Sequence, residues 1–342
     1  MKGVICEKGG AGLKVVDDLQ KPKPGPDQLL VKSLYIGLAP VDKFMIDYGQ
    51  LVDEWPVTLG ADGSGKVVEL GENAGKYGFE VGDYVFGCVR LGKKGHGQGQ
   101  EYFLKEAPVT FKKPEKLTII QAATIGAGAS TAGLGVWEGL NVAFPGASEP
   151  SPKDEWAIVF GGAGSVGRAA VQVLLLAGYK VATTCSSRSK KDLEQLGAVP
   201  VDYKQPEADQ VEEFMRVTGG KFCRIFDATS ADDPTLAKEL FKRISGDKYF
   251  ATTNDWPGPP DFEGGKTYHI ELGPIGNPEA TKLNEVLKKH IPVLTKYLAD
   301  GRLTTPEYEV FGEGFEAAVN AYAYQSSGKG GNKKVVVKVQ DE

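Results

Sequence analysis

The sequence predicts an α/β chain in which a doubly wound parallel sheet is joined to a mostly-β unit. Three observations predict it. An apolar run, Trp156 to Phe160, leads into the glycine-rich turn Gly161-Gly162-Ala163-Gly164-Ser165-Val166-Gly167, and a helical run follows at once. Strands then alternate with helices as far as Thr252, the pattern of a parallel sheet with crossover helices. Residues 1–120, by contrast, read as short strands broken by turns. At 342 residues two domains are expected, with ample chain for a core.

Composition narrows the function. The fractions of hydrophobic and charged residues are those of a globular protein, and the formal net charge of −5 gives no reason to expect nucleic-acid binding. Met1 to Cys6 has no signal-like apolar region, no run approaches membrane-spanning length, and Val339-Gln340-Asp341-Glu342 is no targeting tripeptide, so a cytoplasmic location without a membrane partner is expected. Cys6, Cys88, Cys185 and Cys223 are scattered, as reduced thiols would be.

In chain order, Leu29 to Ile36, Gly65 to Leu70, Asp83 to Val89 and Glu101 to Leu104 read as strands, punctuated by Pro24-Gly25-Pro26-Asp27, Gly71-Glu72-Asn73 and Gly82-Asp83. Gly92 to Gly99 reads as a loop. Gln121 to Trp137 is crowded with small residues, which suits close approach to a ligand, bending between domains, or a tightly packed linker helix. Trp156 to Phe160 is a buried strand. After the turn, Val166, Ala169, Ala170, Val173, Leu174 and Ala177 fall at helical spacing. Strands then follow at Lys180 to Cys185, Val199 to Val201, Arg224 to Ala228 and Tyr249 to Thr252, with helices near 190–196, 208–218 and 235–244. Asn254 to Lys266 is too rich in proline and glycine for regular structure, and reads as a lid or a solvated loop. A helix near 279–299 should be bent or split by Pro292. A helix at 314–324 and a strand at 334–339 end the chain.

Gly162-x-Gly164-x-x-Gly167 matches the Rossmann dinucleotide fingerprint, and the flanking strand and helix supply its required context. Gly162, Ala163, Gly164, Ser165, Val166 and Gly167 are therefore candidates to hold a pyrophosphate on helix N–H groups. The second strand ends in Thr184-Cys185-Ser186-Ser187-Arg188-Ser189-Lys190-Lys191, and the first acid is Asp192. Ser186, Ser187 and Arg188 suit the 2′-phosphate of NADPH better than the 2′-hydroxyl of NADH. The bland alternative is a solvated helix start capped by serine.

The chain resembles the medium-chain dehydrogenase/reductase superfamily over nearly all its length. Gly60-Ala61-Asp62-Gly63-Ser64-Gly65 is similar to its Gly-His-Glu segment, and Val81-Gly82-Asp83-Tyr84-Val85 to its "G-D-x-V" strand. Gln121-Ala-Ala, Thr131-Ala-Gly and the closing Val-Val-Val recur at the expected spacing. The resemblance implies a GroES-like catalytic domain built from both ends of the chain (1–127 and 279–342) and a Rossmann NADP-binding domain (128–278). Zinc members place Cys and His where this chain has Ala39 and Ala61, and the lobe with four close cysteines is missing. The three histidines and four cysteines fall at no ligand spacing, so no metal is expected. Pro40-Val41-Asp42 is the form of the zinc-free branch, quinone oxidoreductases and enoyl reductases. The later segments look most like fungal trans-enoyl reductases.

That resemblance implies an NADPH-dependent reductase of activated C=C bonds (enone, enal or enoyl thioester) acting on a small molecule. A quinone reductase and a nucleotide-binding protein without turnover are the alternatives. Pro40, Asp42 and Thr131 would lie beside the nicotinamide, Tyr203 by the adenosine half, with Thr229 and Thr252 completing the cofactor set. Lys43 and Tyr48 would follow Asp42 on the same substrate-side loop, where Tyr48 could donate a proton and Lys43 stabilise an enolate, or the one could be a packed rim aromatic and the other a surface ammonium. Trp55, Trp256 and Tyr268 are possible pocket walls. A monomer or homodimer is expected.

Overall fold

The computed structural model describes residues 1–146, 150–254 and 262–342. Trp256 and most of the proline-rich stretch lie outside them. The chain forms two compact units, one of residues 1–127, 272–301 and 305–342, the other of 128–271 and 302–304. The return to the first unit thus begins at Leu272, before residue 279.

The first unit is built on β3 (Gln28–Gly37), whose leucine, valine and isoleucine side chains are almost all buried. It pairs with β5 (Gly63–Leu70), with β7 (Tyr102–Glu106) and, near its end, with β16 (Lys334–Lys338). β6 (Tyr84–Phe86) and β8 (Phe111–Lys112) extend one side, and β15 (Tyr308–Glu313) the other. A small antiparallel sheet joins β1 (Gly3–Cys6) to β2 (Lys14–Val16) and β4 (Val57–Thr58). Leu29, Val31, Val67, Phe79, Val85 and Phe103 form the core beneath.

Two expectations change here. The segment after Ala39 is not a loop but α1 (Pro40–Tyr48), with proline in its first turn, a position where its missing N–H is no loss. Pro292 does not split α8 (Thr281–Asp300), which runs unbroken. The residue lies on the exposed face, where the carbonyl it leaves unpaired meets water. α9 (Phe315–Ser326) completes the unit.

The second unit carries six parallel strands: β9 (Trp156–Phe160), β10 (Lys180–Cys185), β11 (Val199–Asp202), β12 (Phe222–Asp227), β13 (Lys248–Thr252) and β14 (Gly265–His269). Their order, β11-β10-β9-β12-β13-β14, reverses at β9, which makes this the doubly wound Rossmann topology. α4 (Ser165–Leu176), α5 (Lys190–Leu196), α6 (Glu207–Thr218) and α7 (Thr235–Lys242) are its crossovers. Ile158, Phe160, Phe214, Ile225, Leu240 and Phe250 fill the core. β14 falls partly inside the stretch expected to be irregular. It is a short edge strand.

The small-residue stretch forms α2 (Ile119–Ala122), α3 (Gly126–Gly133) and a π-helical turn at Leu134–Gly139. Packing explains its glycines at one end. A Cβ on Gly135 would lie 2.2 Å from Phe226 Cε2 and one on Gly139 2.9 Å from Ala251 Cβ, so only bare backbone lets this turn lie on the sheet. Tyr268, a proposed pocket wall, packs under Gly139. Among the described residues no helix is long and apolar enough to cross a membrane.

Candidate cofactor and active-site residues

In the second unit the candidate residues gather at the carboxyl ends of the parallel strands. Thr184 closes the glycine turn: its Oγ1 accepts from Gly161 N–H at 2.8 Å and its carbonyl from Gly162 N–H at 3.1 Å. Two of the three fingerprint glycines, Gly162 and Gly167, are needed sterically, whereas a Cβ on Gly164 would meet nothing closer than 3.5 Å. A Cβ on Gly162 would sit 2.1 Å from Thr183 Oγ1, and one on Gly167 2.2 Å from the Gly161 carbonyl. No side chain caps α4, whose N-cap is Gly164. Bare backbone therefore meets whatever lies before this helix, which fits a pyrophosphate. Ala163 completes the turn, and Ser165 and Val166 are the first two residues of α4. Thr131 lies on α3, three residues after Gly128, where a Cβ would approach Ser165 Oγ to 2.9 Å; this puts α3 beside the start of α4.

Past β10, Ser187 and Arg188 are exposed and Ser186 is half-buried. No carboxylate pairs with Arg188 among the described residues. Asp192, the nearest acid along the chain, is held in an ion pair by Arg168 of α4. Tyr203 is 54% exposed just beyond β11, its N–H donating to the Cys185 carbonyl. Asp227, buried at the end of β12, is a residue the sequence reading missed. Its Oδ1 accepts from Thr229 N–H at 2.9 Å and Thr229 Oγ1 at 2.6 Å, and its Oδ2 from Thr252 Oγ1 at 3.2 Å. The two candidate threonines are thus tied to one carboxylate, which fastens the ends of β12 and β13.

In the first unit α1 presents Pro40, Lys43 and Tyr48, and buries Asp42. The Asp42 carboxylate accepts three backbone N–H groups: Ala39 at 2.8 Å, Gly60 at 3.1 Å and Ala61 at 2.9 Å. It caps α1 and ties it to the Gly60 segment, while burial pushes its carboxyl up. Lys43 is paired with Asp47, which also accepts from Tyr322 of α9 at 2.5 Å. The hydrogen bond to Asp47 holds the Lys43 ammonium above the usual lysine range. Tyr48 is 61% exposed, and its ring lies 5.7 Å from Lys43 Nζ. Trp55 packs near Gly49.

A buried charge cluster, also missed, stands close by. Asp62 is wholly buried, accepts from Gly63 N–H at 3.0 Å and Ala127 N–H at 3.1 Å, and pairs with Lys334 at 3.6 Å. Burial pushes its carboxyl up, against the pull of Lys334. Lys105 is buried too, and its ammonium donates to the carbonyls of Gly87 at 2.8 Å and Cys88 at 2.6 Å. Burial drops Lys105 to about 8 and raises the Cys88 thiol to about 12. No group of three or more His, Cys, Asp or Glu that could hold a metal occurs among the described residues. The four cysteines are free thiols.

Comparison with known proteins agrees with this architecture. The alcohol dehydrogenase GroES-like domain matches residues 25–115. A dehydrogenase of Aspergillus niger, azaJ, is 30% identical over 340 residues, 94% of each chain. The trans-enoyl reductase traG of Penicillium crustosum is 30% identical over 240 residues, which is 68% of this chain; the chain spans about 64% of that relative's length. A mycobacterial protein solved with NADPH superposes with a TM-score of 0.74 at 22% identity, over 99% of each chain. Glycine fingerprint, strand order and full-length similarity place the chain in the medium-chain dehydrogenase/reductase superfamily.

Proposed function

We propose that the chain is a zinc-independent, NADPH-dependent reductase of activated C=C bonds in a small-molecule acceptor, acting in the cytoplasm. One observation carries the cofactor reading: Ser187 and Arg188 stand exposed after β10 while Asp192 is held by Arg168. A carboxylate there would repel a 2′-phosphate, whereas a guanidinium takes it through charge-assisted hydrogen bonds. The backbone from Gly162 to Gly167 would hold the pyrophosphate, with Ser186, Ser187 and Arg188 on the 2′-phosphate and Tyr203 against the adenosine half. The mycobacterial neighbour that carries NADPH supports the same reading.

When bound, the dihydronicotinamide supplies hydride. The protein has to position the acceptor and stabilise the negative charge that grows on its carbonyl oxygen. Lys43, kept cationic by Asp47, is the group on α1 fitted to that charge. Tyr48 carries a hydroxyl that can deliver the proton, and its exposure leaves solvent as an equal source. Ala39 and Ala61 offer no metal donor at the two positions where zinc members carry Cys and His. The relative named trans-enoyl reductase favours an alkene over a quinone.

The test is oxidation of NADPH and NADH with an enone, an enoyl thioester and a quinone, followed by loss of reduced-nicotinamide absorbance. Turnover with an alkene and preference for NADPH are expected. Equal use of NADH, or turnover with the quinone alone, overturns the corresponding half of the proposal. NADPH binding without turnover on any acceptor favours the non-catalytic alternative.

A further inference from the structure

His269 ends β14. It stands in a row that crosses four neighbouring strands in register at the carboxyl edge of the sheet: Phe160, Asp227, Thr252, His269. Its last three members are polar and linked. Thr252 Oγ1 donates to Asp227 and accepts from Asn254 N–H at 3.1 Å. The Asn254 carbonyl in turn lies 3.0 Å from His269 Nδ1. A carbonyl oxygen only accepts, so Nδ1 carries the hydrogen. In the neutral ring Nε2 is then a bare acceptor, and it is buried with no hydrogen-bond partner among the described residues.

A buried acceptor without a donor forfeits its hydration with nothing in return, and native structures leave few such atoms unexplained. The carboxyl edge is where sheets of this topology take their ligand, so the missing partner is an N–H or O–H group of that ligand. Position narrows it. The phosphate-binding turn follows β9, and β14 lies three strands away, roughly 14 Å at ~4.8 Å per strand. Ser186 to Arg188 follow β10, on the opposite side of β9. The adenosine half therefore runs toward β10 and the nicotinamide half toward β14. The N–H donor at the far end of that half is the carboxamide.

We propose that His269 Nε2 accepts a hydrogen bond from the carboxamide NH2 of the bound nicotinamide. The proposal rests on the reading above that a nicotinamide dinucleotide binds this edge. His269 is then a cofactor-binding residue that fixes the rotation of the ring, and Asn254 positions it by holding the tautomer.

The test is equilibrium binding, read by quenching of tryptophan fluorescence, of NADP+ and of its acetylpyridine analogue, in which a methyl ketone replaces the carboxamide and removes the donor. The wild type should bind NADP+ about tenfold more tightly than the analogue. His269→Ala should weaken NADP+ by about tenfold and leave the analogue nearly unchanged, so that the preference disappears. His269→Gln, which keeps an acceptor at similar reach, should retain part of the preference. A wild type without preference overturns the proposal, as does a His269→Ala variant that keeps it. Equal weakening of both ligands also overturns it, because that is what lost packing alone would produce. Should His269→Ala fail to fold, the wild-type comparison and the Gln variant still decide. If neither dinucleotide binds, the cofactor reading falls and this proposal with it; if both bind and the variants are indifferent, the proposal falls alone. A variant that changes only the KM of the acceptor places Nε2 against the substrate instead, and overturns it too.

Discussion

Lys105→Met should remove one contribution to the pH dependence of stability, a rise between pH 8 and 10 that the wild type owes to this lysine. Lys105 is fully buried and its pKa falls from 10.5 to about 8. In the unfolded chain it titrates normally. Between those two values the unfolded state holds a proton that the native state has lost, so native stability rises with pH through this window. The 2.5 pH units of difference correspond to about 3 kcal/mol in full, of which about 2 kcal/mol develops between pH 8 and 10. Cys88 and Cys185 act in the opposite sense. Burial raises their thiols to about 12 and about 11, so above the normal thiol range stability falls as the unfolded thiols ionise. The difference between wild type and variant removes most of that background. Urea unfolding at pH 7, 8, 9 and 10 should give stability curves that diverge by about 2 kcal/mol in the wild type's favour between pH 8 and 10. Parallel curves would refute the reasoning and mean that Lys105 is solvated.

Three more outcomes follow from contacts already described. Gly162→Ala should cost about 1–3 kcal/mol in urea unfolding, because its methyl meets Thr183 Oγ1 at 2.1 Å; adding Thr183→Ala should recover part of the loss. Arg188→Ala should weaken NADPH binding by about 10- to 100-fold, the worth of hydrogen bonds to a charged group, and leave NADH unchanged in titration calorimetry. Asp42→Ala leaves three buried N–H groups without their acceptor and should lower stability by about 3 kcal/mol or more at roughly 1–3 kcal/mol per group, with Asp42→Asn less damaging.

The parts legible in the sequence are those whose physics is local. The turn from Gly161 to Gly167 needs its glycines because strand, turn and helix adjoin, so β9, the turn and α4 could be read directly. Lys180 to Cys185 was read to the residue, and the other crossover strands within about two. What escaped depends on distant partners. Pro40-Val41-Asp42 reads as a loop until Gly60 and Ala61 arrive to meet the Asp42 carboxylate. Lys105 lies one residue past the strand read at Glu101 to Leu104, and nothing in the sequence marks it out; only the fold shows it buried, with Asp62 and Lys334 brought in from remote segments. His269 follows a proline- and glycine-rich stretch that hides a strand, and its significance lies in the row it joins across β12 and β13. Pro292 does not split α8 for a related reason: on an exposed face water replaces the partner that the freed carbonyl loses.

The central claim is that this chain transfers hydride from NADPH to the carbon of an activated double bond. The direct measurement uses NADPH deuterated at C4 of the nicotinamide, with an enone or enoyl thioester as acceptor, and mass spectrometry of the product. The account predicts a saturated product carrying deuterium at the β-carbon. Deuterium on the carbonyl carbon would mean carbonyl reduction, and consumption of NADPH with no labelled carbon would mean electron transfer; either result contradicts the claim.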